Sequence, residues 1–185
     1  MARAGLDTDA VVAAAAALAD AEGLESVTLA RLASTLGVRS PSLYAHVDGL
    51  DDLRRRLAVR GALELAAALQ KAVAGRSRAD ALSALADAYR AYARAHPGSY
   101  AALQRAPALG DAEGAVAATG VVDVVLAVLR GYDLEGDDAI HAVRIVRAAL
   151  HGFVTLETGG GFGLPLALDD SYARLVDVLD RGLHA

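Results

Sequence analysis

The chain has 185 residues, 55% of them hydrophobic, and a formal net charge of −5 at pH 7. It contains no cysteine, which excludes disulfides and cysteine-ligated metal sites. Few aromatic residues and many alanines, leucines and valines favour helices over sheet. The N-terminus lacks the apolar segment of a signal peptide, and no uncharged apolar run reaches the length of a membrane helix. We therefore expect a cytoplasmic, all-α protein with no membrane partner.

Two short helices joined at a glycine are predicted within residues 28–46. Thr28 can cap the first helix, because its hydroxyl can accept a hydrogen bond from a backbone N–H of the first turn. Apolar residues then recur at helical spacing, and Gly37 follows where helices commonly end in the left-handed conformation. Ser40 and Pro41 predict the next helix, with serine as its cap and proline at the first helical position. This arrangement is a helix-turn-helix and predicts double-stranded DNA as a partner.

The side chains expected to face DNA lie on the second helix and at its edges. Leu43 and Val47 have the spacing to point inward, which leaves hydrogen-bond donors and an aromatic ring outside. An ordinary helical hairpin whose turn needs glycine is the alternative interpretation. The predicted DNA-binding residues are Thr28, Arg39, Ser40, Pro41, Ser42, Tyr44 and His46.

The surrounding sequence extends this pattern. An alanine-rich helix is predicted over Val11–Ala21, and Asp48-Gly49-Leu50 opens another helix after the motif. In register, the chain reads Ala-x-x-Leu-Ala-x-x-Glu-Gly, Thr-Leu-x-x-Leu-Ala-x-x-Leu-Gly-Val and Leu-Tyr-x-His-Val. Over Thr8–Leu57 this combined pattern resembles the TetR family of bacterial transcriptional regulators. His96–Tyr100 and residues 150–163 are similar to the C-terminal domain of a TetR subfamily named for a Trp-His-Gly motif, with Leu150 in place of the tryptophan.

The resemblance implies an all-α fold of about nine helices in two domains. Residues 1–49 would form a three-helix DNA-binding domain with the helix-turn-helix, and residues 50–185 a helical domain for effector binding and dimerisation. The implied function is sequence-specific transcriptional regulation, by family default as a repressor that leaves a palindromic operator when a small molecule binds. The implied partners are operator DNA, an unidentified effector and a second copy of the chain; no cofactor is implied.

Charge is the main observation against DNA binding. Residues 1–60 carry seven arginines and eight carboxylates, a net charge of −1, whereas a protein that binds by nonspecific charge neutralisation is basic. Arg31 and Arg39 flank the turn, however, and helix N-termini can offer backbone N–H groups to phosphates. We therefore expect few phosphate contacts for each subunit, and specificity from contacts to bases.

The start of the fourth helix departs from the family pattern. Many relatives carry a phosphate-binding lysine there, whereas this chain has Asp51 and Asp52. Arg54–Arg56 follow, but consecutive helical residues point about 100° apart, so at most one or two can face DNA. A solvated helix face is the alternative for these arginines.

The remainder is predicted to be helical with short loops. Its valine-rich segment could suggest a strand, but its length and its lack of hairpin turns favour a helix. The predicted helices are Leu50–Ala74, Ala79–Ala95, a short one near Tyr100, Val116–Arg130, Asp137–Thr158 and Asp169–Leu183, with a loop over Pro107–Gly114.

The helix predicted over Asp137–Thr158 has two apolar faces. One face suits the core of its own chain, and the other is rich in small residues that allow another backbone to approach closely. The last helix carries a matching stripe, so a four-helix seam between two subunits is expected; a thicker core within one chain is the alternative. The predicted interface residues are Ile145, Ala148, Ala149, Gly152, Leu156, Tyr172, Leu175, Val176 and Leu179.

An effector pocket is indicated only by residue types. Aromatic side chains and a histidine in the middle helices could line a cavity or simply fill the core. The predicted ligand-binding residues are Tyr89, Tyr92, Tyr100, His151 and Phe153.

Two other classes of protein are considered. Asp137 and His141 lie one turn apart but have no second pair to complete a metal site, and the glycine run 159–163 lacks the strand and lysine of a phosphate loop. There is no Gly-x-Ser-x-Gly sequence, so no catalytic or metal-binding residue is predicted and an enzyme is disfavoured. A helical adaptor that keeps a degenerate helix-turn-helix and binds only protein would suit the acidic charge.

Overall fold

The computed structural model describes residues 6–184, and every regular element in that range is a helix. Residues 1–5 and 185, which include the outer ends of both predicted domains, lie outside the described range. Three 3-10 helices, at Leu24–Ser26, Ser40–Ala45 and Arg130–Tyr132, interrupt eight α-helices. Counted with the six-residue 3-10 helix, the α-helices of the described range give the nine helices that were expected. Since every regular element there is a helix, the all-α prediction is confirmed. The α-helices are Thr8–Glu22 (α1), Leu29–Leu36 (α2), Leu50–Val73 (α3), Arg78–Ala95 (α4), Pro97–Ala102 (α5), Ala112–Leu129 (α6), Gly136–Thr158 (α7) and Leu168–Leu183 (α8).

The start of α6 differs most from its predicted position. The helix begins at Ala112, inside the segment predicted as a loop over Pro107–Gly114. The carboxylate of Asp111 accepts a hydrogen bond from the backbone N–H of Gly114 at 3.0 Å, which caps the first turn. The valine-rich sequence that follows is helical, as expected.

The described residues pack into two compact units. The first unit comprises the chain up to Leu63 together with Ala95–Ala118, and the second comprises Glu64–Arg94 and the chain from Thr119 onward. This division by packing differs from the predicted boundary between residues 49 and 50, because α3 runs unbroken past it and Ala95–Ala118 packs with the helix-turn-helix. The assignment of separate functions to residues 1–49 and 50–185 stays a prediction.

The first unit is built on small and branched apolar side chains. Val11 and Ala15 of α1, Leu32 of α2 and Leu53 and Leu57 of α3 are completely buried in one continuous cluster. Burying each leucine contributes on the order of 2 kcal/mol. The core therefore holds α2, the first helix of the predicted helix-turn-helix, against α1 and α3.

The short helix α5 lies directly against α1. A Cβ atom added to Gly98 would stand 2.1 Å from the carbonyl carbon of Ala19, so the two backbones are in contact. Beside this contact, the Asp20 carboxylate accepts hydrogen bonds from the Ser99 backbone N–H at 2.8 Å and from the Ser99 hydroxyl at 3.4 Å. Nδ1 of His96 lies 3.2 Å from the same carboxylate. The missing side chain of Gly98 and the hydrogen bonds to Asp20 together keep α5 in contact with α1.

In the second unit, two tyrosines bind α8 to its neighbours. The Tyr172 hydroxyl donates a buried 2.6 Å hydrogen bond to the carbonyl of Ala86 in α4. The Tyr132 hydroxyl, in the 3-10 helix after α6, donates to the Asp180 carboxylate at 2.5 Å. Burial is the main cause that raises the pKa of both phenols, so both act as neutral donors.

Two helices are long and apolar enough to cross a membrane on length and composition alone. They are Ala112–Tyr132, with mean hydropathy 1.9, and Gly136–Thr158, with mean hydropathy 1.3. Core helices of soluble proteins meet the same criterion, so one or two such helices are weak evidence. Of the most apolar stretches of these two helices, 28% and 33% are buried within the protein. The absence of a membrane partner stays a prediction.

The contact between α1 and α5 makes Gly98→Ala a sharp test of this packing. The added methyl group would overlap the backbone of Ala19, so we expect the free energy of unfolding to fall by about 2 kcal/mol or more. Gly120→Ala is the matched control, because Gly120 also lies within a helix but meets only the Ala66 Cβ, at 3.9 Å. This control should gain up to about 1 kcal/mol from helix propensity. Urea denaturation of both variants measures the difference, and equal stabilities would contradict the backbone contact.

Candidate nucleic-acid interface

The first helix of the helix-turn-helix begins and ends as its sequence predicts. The Thr28 hydroxyl accepts a hydrogen bond from the Arg31 backbone N–H at 3.1 Å and caps α2. Gly37 ends the helix in the left-handed conformation with φ of 66°, and the next N–H, of Val38, donates to the Ala33 carbonyl at 3.0 Å. These two local interactions set the length of α2 and the direction of the chain that follows.

The second helix starts differently from its prediction. It is a 3-10 helix over Ser40–Ala45, and Arg39, not Ser40, occupies the capping position, with no side-chain cap. Arg39 keeps an extended backbone, and its carbonyl accepts from the Ser42 N–H at 2.9 Å, so Ser40 is already inside the first turn. The predicted capping role of Ser40 is therefore wrong. Pro41 in that turn needs no hydrogen-bond partner for its nitrogen.

This short helix presents its polar side to solvent. Leu43 is completely buried and Val47 nearly so, whereas the neighbouring Tyr44 is 60% exposed. A hydrogen bond joins the C-terminal end of this helix to α1, because the Thr8 hydroxyl donates to the His46 carbonyl at 3.3 Å. The seven predicted DNA-binding residues are all at least partly exposed: Thr28, Arg39, Pro41, Ser42 and Tyr44 are exposed, and Ser40 and His46 are half-buried.

Most arginines near this surface already have acidic partners. Arg31 forms a 2.7 Å ion pair with Glu22 of α1, and Glu22 raises the pKa of its guanidinium. Of the five arginines between residues 28 and 56, all within the described range, Arg39 alone forms no ion pair. Arg39 is thus the cation at the turn that is open to a phosphate or a base.

The acidic start of α3 organises the arginines that follow it. Asp52 accepts hydrogen bonds from the Asp48 N–H at 3.1 Å and from Arg56 at 2.8 Å, and Arg55 lies 3.4 Å from its other oxygen. These partners hold the pKa of Asp52 below its ordinary value against the opposing effect of burial, the largest single cause. Arg54 pairs with Glu25 at 3.2 Å. Arg54, Arg55 and Arg56 therefore form ion pairs with carboxylates of the same chain. They are neither an unpaired, solvated helix face nor a set of arginines free to bind phosphate.

The predicted effector residues do not converge on one site. Tyr100 belongs to the first unit, and Tyr89, Tyr92, His151 and Phe153 to the second. The three tyrosines and Phe153 are buried, and the Tyr92 hydroxyl donates to Glu64 at 3.2 Å. His151 is half-buried, and burial, reinforced by the charge of Arg147, lowers its pKa so that the neutral ring is favoured. Their ligand-binding role stays a prediction.

An arginine that was not among the predicted site residues organises the aromatic side chains of the second unit. Arg90 donates to both carboxylate oxygens of Glu157, at 2.8 and 2.5 Å, and pairs with Asp169 at 2.8 Å. Its guanidinium carbon lies 4.7 Å from the centre of the Tyr172 ring and 5.7 Å from that of Phe153. A groove of about 560 Å³ beside Arg90 is otherwise mainly acidic, with Asp80, Asp87, Asp169, Asp177 and Asp180 in its walls.

The outer face of α7 carries the predicted subunit interface only in part. Ile145, Ala148 and Leu156 are exposed, and Ala149, Gly152 and Leu175 are half-buried. Three predicted members are corrected, since they are buried within the single chain and have little surface left for a partner: Tyr172, Val176 and Leu179. Val178, one residue from the predicted stripe, is exposed instead. Helical spacing on α8 identified an apolar stripe, but that stripe faces its own core.

Comparison with known proteins decides the family. A model of the tetracyclin repressor-like, C-terminal domain matches residues 82–179. The chain is 44% identical over 156 residues to an uncharacterized HTH-type transcriptional regulator of Mycobacterium tuberculosis, spanning 84% of this chain and 72% of that protein. This chain belongs to the TetR family. It is also 40% identical over 157 residues to an uncharacterized HTH-type transcriptional regulator of Bacillus subtilis, spanning 83% of this chain and 80% of that protein.

A solved structure agrees with the TetR fold across the described chain. A TetR variant from Acinetobacter baumannii AYE, in complex with minocycline, superposes with a TM-score of 0.72 at 22% identity and covers 96% of each chain. Membership of the TetR family confirms the prediction of a DNA-binding transcriptional regulator with a helix-turn-helix.

The Arg90–Glu157 pair in this TetR-family chain predicts a pH-dependent stability. Arg90 lowers the pKa of Glu157, so the pair stabilises the fold above the carboxyl's unfolded pKa and this gain is lost as pH falls through the lowered pKa. At pH 7 we expect Glu157→Gln to cost about 3 kcal/mol, because both side chains are largely buried. The difference from wild type should shrink progressively below about pH 4.

Chemical denaturation at several pH values measures this effect. Glu113→Gln is the control, because Glu113 also pairs with an arginine, at 2.9 Å from Arg55, but is mostly exposed. Its cost should stay under about 1 kcal/mol. A cost for Glu157→Gln that did not change between pH 7 and pH 3 would contradict the ion pair as its cause.

Proposed function

We propose that this chain is a dimeric repressor that reads an inverted-repeat operator through the helix Ser40–Ala45 and is released by a small-molecule effector. The observation that carries the proposal is the pairing of buried Leu43 with exposed Tyr44 on a helix of a TetR-family helix-turn-helix. The buried leucine fixes the helix, so its neighbour can present a ring and a hydroxyl without a large ordering cost on binding.

The exposed residues around the helix Ser40–Ala45 have different expected contacts with DNA. Arg39 has a planar guanidinium suited to a guanine edge or a phosphate, and Ser42 and Tyr44 offer hydroxyl groups. The half-buried His46 completes the edge of the helix, and Thr28 lies at the N-terminus of α2. With one unpaired arginine at the turn, each subunit binds weakly alone, so two half-sites are needed for useful affinity.

Dimerisation supplies the second half-site. The exposed part of the α7 face combines Ile145 and Leu156 with the small residues Ala148 and Gly152, and Val178 adds to it from α8. Exposed apolar side chains at helical spacing around small residues suit close helix packing between subunits. A twofold dimer reads a pseudo-palindromic sequence.

Effector control follows the family pattern. The TetR variant from Acinetobacter baumannii was crystallised with minocycline, which supports a small-molecule effector for this chain as well. An effector releases the operator only if it binds the DNA-free conformation more tightly. The similar proteins are regulators, which argues against the enzyme and adaptor alternatives. Since operators lie on the bacterial chromosome, we propose the cytoplasm as its compartment.

Selection of bound sequences from random duplex DNA tests the proposal directly. An inverted repeat should be enriched, and binding to it should weaken steeply with salt concentration. Tyr44→Ala and Arg39→Ala should each weaken operator binding about tenfold or more, because a good base contact discriminates by about 1–3 kcal/mol. Both residues are exposed, so folding should be unaffected.

Arg130→Ala is the matched control, since it removes one exposed arginine from the second unit. It should leave operator affinity within about twofold of wild type, because screening limits long-range charge effects. An unenriched pool at low salt would favour the protein-binding adaptor, and unchanged affinity in both Tyr44→Ala and Arg39→Ala would exclude the assigned reading surface.

The subunit seam has its own test in sedimentation. Ile145→Asp places a charge on a side chain that is 58% exposed in the single chain, so the monomer should fold but the dimer should dissociate at micromolar concentration. Val116→Asp is the control, since Val116 is an apolar residue of α6 that is 72% exposed, and this variant should remain dimeric. A wild-type chain that sediments as a monomer would remove the dimer from the proposal.

A further inference from the structure

A cavity of about 460 Å³ lies wholly within the first unit, beside the helix-turn-helix. Its walls come from the 3-10 helix Leu24–Ser26, the first half of α3, the end of α5 with the loop that follows, and the start of α6. Volumes of roughly 300–1,000 Å³ are typical of small-molecule sites. Most of the lining is apolar, with Val59 and Ala62 of α3, Leu103 and Pro107 after α5, and Ala118 of α6 among its members.

Arg54 lines this cavity, and its guanidinium is only partly paired. Its Nε atom is buried and has no partner among the described residues. Its terminal nitrogen forms only a 3.2 Å pair with Glu25, a side chain that is 84% exposed. Buried donors without an acceptor are rare in proteins, and a guanidinium readily exchanges one exposed carboxylate for another that binds it better.

Four carboxylates and three guanidinium groups line the cavity, so its suitability for an anion depends on which of these groups are already paired. Arg105 is exposed at the cavity and forms no ion pair within the described chain. Two of the four lining carboxylates already have cationic partners, since Asp52 and Asp111 both pair with Arg55 and Asp52 also pairs with Arg56. Asp51 is exposed to solvent at the rim. Glu25 also lines the cavity, but its side chain is 84% exposed and can turn to solvent when Arg54 binds another carboxylate. The guanidinium groups that a ligand carboxylate can then reach are those of Arg54 and Arg105.

We propose that this cavity binds a small molecule with an apolar body and a carboxylate, the body among α3, α5 and α6 and the carboxylate on Arg54 and Arg105. Two guanidinium groups can hold one carboxylate through charge-assisted hydrogen bonds. The apolar chain replaces water against the alanine, valine and leucine side chains of the walls.

The site has a direct route to the DNA-reading surface. A ligand carboxylate competes with Glu25 for Arg54, and Glu25 belongs to the 3-10 helix Leu24–Ser26 that joins α1 to α2. Loss of the Arg54–Glu25 pair removes the ion pair between this connection and α3. The regulatory consequence rests on the proposed function, whereas ligand binding does not.

Calorimetric titration of the full-length protein with decanoate, 1-decanol and decylamine tests the site. Decanoate should bind saturably, one molecule for each chain, and at least tenfold more tightly than either comparator. Arg54→Gln and Arg105→Gln should each weaken decanoate binding at least tenfold and leave 1-decanol binding unchanged. Arg105 is exposed, so its variant keeps the test valid if a cavity variant fails to fold.

Ala118→Phe and Ala115→Phe form a matched pair on α6. Ala118 lines the cavity, so a phenyl ring there should fill it and abolish decanoate binding. Ala115 is exposed on the same helix outside the lining, and its variant should bind as wild type does. Decanoate binding that is unsaturable, equal to that of 1-decanol or retained in Ala118→Phe would overturn the inference.

Operator binding separates the two proposals. Decanoate should lower operator affinity in wild type and have no effect in Arg105→Gln. Intact operator binding without decanoate binding overturns this inference alone. Decanoate binding by a chain that selects no DNA sequence overturns the proposed function alone.

Discussion

The backbone contact between Gly98 and Ala19 determines how the chain is divided. Because α5 has no side chain at this point, it can lie on α1, and Asp20 then binds the first turn of α5 through Ser99. This contact brings Ala95–Ala118 into the same unit as the helix-turn-helix. Two continuous helices, α3 and α6, consequently contribute residues to both units.

Internal ion pairs explain how an acidic chain can read DNA. Four of the five arginines between residues 28 and 56 bind carboxylates of their own unit, so their charges stabilise the position of helices before any phosphate arrives. The acidic start of α3 is part of this arrangement, since Asp52 joins Arg55 and Arg56. Long-range electrostatic attraction to DNA is correspondingly weak, and discrimination depends on short-range contacts made by a well-fixed helix.

Local chemistry could be predicted from the sequence, and long-range partners could not. The Thr28 cap and the Gly37 terminus depend on residues within one helical turn, and both were predicted correctly. The Ser40 cap was wrong because Arg39 holds the extended conformation that a cap requires. Arg90 and Glu157 are 67 residues apart, so no spacing rule connects them. Helical periodicity likewise identified apolar faces without showing that Tyr172 points into its own unit.

The helix Ser40–Ala45, which we propose as the DNA-reading helix, is short, and its length limits the base sequence that one subunit can read. Six residues at about 2.0 Å each span about 12 Å, which matches roughly four base pairs of duplex. A four-base-pair word recurs by chance about once in 250 positions, and two such words about once in 65,000, among the roughly 10⁶ or more competing sites of a genome. Base contacts from two copies of this helix are thus insufficient to specify a single site in a genome. The spacing between half-sites and the stiffness of the DNA between them must supply the remaining selectivity.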